Sequence, residues 1–92
     1  MKIKMLMTVR PDMPFLAKPG TVLRVNEIYE ATANKNGAVT AICENGERLG
    51  VKPAEFEFVS LPLWLWEKWE LVWPYSVEHA EIEQEENHAE TD

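Results

Sequence analysis

Two Asn-Gly dipeptides nine residues apart, Asn36-Gly37 and Asn45-Gly46, constrain this chain more than any other feature. Asn-Gly accepts the positive φ angles that tight hairpin turns require, and each pair sits between short runs of apolar, β-prone residues. Together they predict a meander running from Ile28–Ala33 through Ala38–Cys43 to Arg48–Val51. Pro53-Ala54-Glu55 predicts a short helical turn, and Phe56–Val59 a last strand. Near the start, Ile3, Met5, Met7 and Val9 alternate with Lys2, Lys4, Thr8 and Arg10, which predicts a half-buried strand over residues 2–10. Residues 11–20 hold three prolines and end in Gly20, so they form a loop. Phe15 and Leu16 within it are expected to fold back onto the core. Leu23 and Val25 start another apolar run whose phase slips at Asn26-Glu27, the mark of a turn or bulge.

With 92 residues, the chain has room for one domain and one modest core. Its formal charge of −7 suggests a nucleic-acid mimic until it is divided along the chain. Residues 1–60 carry eight Lys/Arg against seven Asp/Glu (+1), residues 61–73 one Lys against two Glu (−1), and residues 74–92 seven acids alone (−7). The body is therefore near neutral, and supports neither a basic nucleic-acid footprint nor an acidic mimic. A single cysteine, Cys43, excludes an intramolecular disulfide framework and any multi-cysteine metal site. Lys4 interrupts the apolar start, which makes a poor signal peptide, and no apolar run reaches the roughly 20 residues of a membrane span. A cytoplasmic protein is expected.

Asn26-Glu27-Ile28-Tyr29-Glu30-Ala31, Asn45-Gly46-Glu47-Arg48-Leu49-Gly50-Val51 and Pro53-Ala54-Glu55-Phe56-Glu57 stand out in their order and spacing. Through them residues 2–59 resemble the small SH3-like barrel proteins common in phages and other mobile elements. Such proteins often have Gly just before the Ile-Tyr strand, where this chain has Asn26. The resemblance implies a mainly β fold, with a five-stranded SH3-like barrel over residues 1–60. Barrels of this kind bind proteins, peptides and nucleic acids alike, so the fold alone assigns no function.

After Ser60 the character changes: all four tryptophans of the chain fall within the ten residues 64–73. Pro62 suits a first helical turn. A helix from there to about Leu71, within a Trp-rich extension over residues 61–74, aligns Pro62, Leu65, Trp66, Trp69, Val72 and Trp73 on one broad face. Glu67 and Lys68 point outward, and Trp64 and Leu71 fall elsewhere on the surface. A helix apolar all round wants a second surface to cover it. Pro74 ends it, and residues 75–92 read as a disordered acidic tail, since residues 78–92 lack the apolar content to fold.

Catalysis finds few candidates. Cys43 lies in an expected strand and both histidines, His79 and His88, in the tail, where a rigid nucleophile–base geometry has no support. His79, Glu81, Glu83 and His88 have metal-ligating side chains, but a metal site needs ligands that are held; no metal or cofactor is expected. Aromatic residues of the Trp type are enriched where binding energy concentrates. Trp66 and Trp69 suit a plug on the open end of the barrel, whereas Trp64 and Trp73 lie further round or at the end. The polar residues of this helix, Glu67, Lys68 and Glu70, do not make the basic face of a membrane-surface helix. Nucleic-acid binding would draw on Lys2, Lys4, Arg10, Lys18, Arg24 and Lys52, with only Tyr29 and Phe15 as stacking platforms in the body outside the last strand.

The function expected is that of a non-enzymatic protein-binding module acting on a host or defence protein through Trp64, Trp66, Trp69, Leu71, Trp73 and the adjoining barrel surface. Its phage character comes from the resemblance alone. The rivals are a nucleic-acid-binding barrel and a small-ligand-binding homo-oligomer whose apolar segments pack between subunits.

Overall fold

A computed structural model describes residues 1–83. The fold is mainly β: a six-stranded sheet with strand order β4-β3-β2-β1-β5-β6. The strands are β1 (Lys2–Met5), β2 (Ile28–Ala33), β3 (Val39–Ile42), β4 (Arg48–Val51), β5 (Phe56–Pro62) and β6 (Glu81–Glu83). Between β5 and β6 come two helices, α1 (Leu63–Val72) and α2 (Pro74–Val77). Among the described residues no helix is long and apolar enough to cross a membrane.

Turn chemistry sets the meander. Gly37 and Gly46 hold φ angles of 93° and 90°, where a Cβ is strained. The side-chain oxygen of Asn34 accepts from the backbone N–H of Asn36 and Ala38, and that of Asn45 from Glu47. Asn26 is the only non-glycine residue with positive φ among the described residues, at 71°. Its backbone N–H donates to the Met5 carbonyl at 2.8 Å. Asparagine tolerates the left-handed region, so Asn26 adopts there a conformation that glycine takes freely. β2 serves two neighbours in turn: Ile28–Glu30 pair with β1, and Ala31–Ala33 with β3.

The core lies on one face of this sheet. Ile3, Met5, Leu23, Phe56, Phe58, Leu61 and Leu65 are fully buried, and Trp69 closes the cluster. Phe56 and Phe58 meet edge to face at 5.0 Å, and Trp69 meets both at 5.5 and 5.0 Å, the arrangement aromatic quadrupoles favour.

Several expectations need correction. The first strand stops at Met5, because the Leu6 N–H turns to the Glu55 carbonyl; Met7 is exposed, and Val9 makes only an isolated bridge with Leu23. Phe15 and Leu16 sit on a three-residue 3-10 turn, Pro14–Leu16, that projects from the body, and Phe15 is 82% exposed. The sheet has six strands and is not closed into a barrel: among the described residues no ladder joins β4 to β6. β4 ends at Val51, where the Lys52 N–H is taken by the Glu55 carboxylate at 2.8 Å and Pro53 has none to give.

The expected tail is also ordered over its first part. Ser76 and Val77 of α2 are buried, and β6 pairs in parallel with the end of β5. Glu83 anchors it, its carboxylate lying 3.0 Å from both the Met1 amine and the Ser60 hydroxyl. Residues 84–92, the remainder of that tail, lie outside the described residues.

Candidate protein-binding surface

α1 starts directly from β5, with Pro62 in extended conformation as its N-cap, and ends at Trp73, whose N–H donates to the Trp69 carbonyl. Within it the 3.6-residue period sorts the side chains. Leu65 and Trp69 point into the core, and half-buried Trp66 packs against the same cluster. The Trp69 indole N–H donates to the Gly37 carbonyl at 2.9 Å, a buried bond tying α1 to the β2–β3 turn. These two tryptophans are thus structural in their contacts.

The other candidates face outward. Trp64 is 42% exposed, Leu71 83% and Trp73 39%, and Leu63, Val72 and Tyr75 are exposed beside them. Val72, aligned by the helical period with Leu65 and Trp69, turns out because the helix ends there and Pro74 redirects the chain, and Trp73 is the C-cap. Trp73 stands edge-on to Tyr75, with centroids 6.1 Å apart. On its other side a shallow groove of about 260 Å³ runs between the end of α1 and the β2–β3 turn, lined by Gly37, Pro53, Lys68, Trp69, Val72 and Trp73. Periodicity alone gave no sign of Gly37, Pro53 or Tyr75 in this surface; they arrive through the hairpin, the turn before β5 and the redirected α2.

The basic residues of the body are interleaved with acids. Lys2 is in register with Glu30 and Lys4 with Glu57. Lys18 lies 3.6 Å from Glu47, and Arg10 and Lys52 share a cleft of about 480 Å³ with Asp12 and Glu55. Cys43 is buried, and that burial pushes its thiol pKa up, with the charge of Glu47 adding to the effect and a backbone hydrogen bond at Val22 opposing it. A thiol held neutral is a poor nucleophile. Among the described residues no group of three or more His, Cys, Asp or Glu side chains is placed to hold a metal ion. His79 is described and His88 lies outside the described residues.

No family model, curated protein or solved structure matches this chain.

Proposed function

We propose that this chain is a non-enzymatic protein-binding module, an SH3-like sheet elaborated by a Trp-rich helix, that acts stoichiometrically on a host or defence protein. One observation carries the proposal. Along α1 and α2, Leu63, Trp64, Leu71, Val72, Trp73 and Tyr75 are each exposed, with Val72 and Trp73 lining one groove and Trp73 edge-on to Tyr75, and clustered exposed apolar side chains on small proteins mark interaction sites. Aromatic side chains beside a groove are the usual anchors of such interfaces. The strand order β5-β1-β2-β3-β4, with a 3-10 turn before β5, supports the SH3-like part; β6 is an addition to that pattern. The phage origin stands on the sequence resemblance.

The test is photo-crosslinking from position 73 in the host cell, followed by affinity measurement on the purified partner. A single protein should be captured, and Trp73→Ala should weaken its binding at least tenfold while leaving the melting temperature within a few degrees. Unchanged affinity in that variant would exclude this face as the binding surface.

A further inference from the structure

We propose that α1 pairs with α1 of a second copy of this chain, antiparallel, about a two-fold axis midway between Glu67 and Lys68. Resting on the protein-binding role above, this assigns one stripe of the apolar face to a particular partner and leaves the Trp73 groove to another.

The stripe follows from the helical period. Trp64, Glu67, Lys68 and Leu71 lie along one side of α1, away from the buried Leu65 and Trp69. In a two-fold interface each residue meets the one equally far from the axis on the other copy, and the contact occurs twice. With the axis between Glu67 and Lys68, Trp64 meets Leu71 and Glu67 meets Lys68. Every pair is apolar with apolar or acid with base. Moving the axis onto Glu67 sets Glu67 against its own copy and Trp64 against Glu70. Moving it onto Lys68 sets lysine against lysine, and a parallel pairing does both. Charge therefore selects one register and one direction, as flanking charges do in paired helices.

Glu67 and Lys68 are free for this role, since neither makes a salt bridge among the described residues. The stem of Lys68 passes beside the Gly37 turn, which limits its freedom. The contact is small. A helix of ten residues is about 15 Å long, so the pair buries less than the ~800 Å² per partner of a standard complex, and micromolar association is expected.

Sedimentation equilibrium of the full chain over a micromolar range tests this. The mass should rise toward twice the 10.6 kDa monomer. Glu67→Lys and Lys68→Glu should each weaken the dimer about tenfold, by turning two attractive pairs repulsive, and the two combined should restore it. Leu71→Asp should abolish it without lowering the melting temperature. A dimer indifferent to the single reversals, or a double variant as weak as either single one, overturns the proposed register. A chain monomeric at every concentration overturns the dimer. If the position-73 crosslink still captures a different protein from that monomer, the protein-binding role stands without self-association; if it captures none, both fall.

Discussion

Trp69 joins the helical extension to the sheet, and its removal should be the most damaging single change in α1. The indole is 7% exposed, packs edge-on against Phe56 and Phe58, and donates its N–H to the Gly37 carbonyl. Truncating a buried Trp to Ala costs about 3–5 kcal/mol through lost transfer energy and the cavity left behind. For 92 residues the whole stability is on the order of 5–14 kcal/mol, so Trp69→Ala should remove about a fifth of it or more. Trp69→Phe keeps most of the ring contact and deletes the donor. It should cost about 1–2 kcal/mol, the range for a carbonyl left without its partner. Trp64→Ala, on the outer face, should cost under about 1 kcal/mol. Urea denaturation followed by far-ultraviolet circular dichroism measures all three without relying on tryptophan emission. Equal losses for Trp69→Ala and Trp64→Ala would show that the helix does not dock by the face described.

Gly46→Ala should destabilise by about 1 kcal/mol through its φ of 90° alone, since no atom lies within 4 Å of the added Cβ; a neutral thermal melt would remove the positive-φ turn. Ser76→Ala should leave stability unchanged or raise it by about 1 kcal/mol, because the Ser76 hydroxyl is buried without a hydrogen-bond partner, and a loss above that size would reveal a partner. Ending the chain at Pro74 deletes buried Val77 and the whole of β6. Chemical denaturation should then show a loss of about 2 kcal/mol or more, and an unaltered midpoint would mean these residues add nothing to the fold. Cys43 has its thiol pKa raised above the ordinary 9.0. The unfolded chain thus ionises first as pH climbs, and stability present below pH 9.0 is lost above it, by at most ~1.4 kcal/mol per pH unit. Cys43→Ala should flatten that alkaline fall relative to the parent.

The meander was legible because Asn-Gly is a local signal: the dipeptide fixes its turn whatever packs around it, and β2 and β4 have the bounds expected. The inward set of α1 was legible for Leu65, Trp66 and Trp69, which the helical period places together. It failed at Val72, the last residue of the helix, which is exposed. Phe15 and Leu16 were misplaced because hydrophobicity says only that burial is favourable, whereas the rigid Pro-rich loop decides whether the chain can turn back. β6 was invisible for a different reason. Three residues reading Glu-Ile-Glu carry no β signal of their own, and their order comes from the partnerless edge of β5 and the links of Glu83 to Met1 and Ser60.

That dependence on context bears on function. A sheet this small, left open between β4 and β6, cannot cover Phe56 and Phe58 with strands alone. α1 supplies the cover with Leu65 and Trp69, and one face of a helix suffices for that. The tryptophans beyond it, Trp64 and Trp73, add no comparable burial to the monomer, and Trp64→Ala should therefore separate binding from folding. The covering residues Leu65 and Trp69 and the exposed Trp64 and Leu71 lie on different sides of the same helix. Loss of Trp69 should consequently weaken partner binding as well as lower stability, whereas loss of Trp64 or Leu71 should abolish association in a protein that still melts as the parent does.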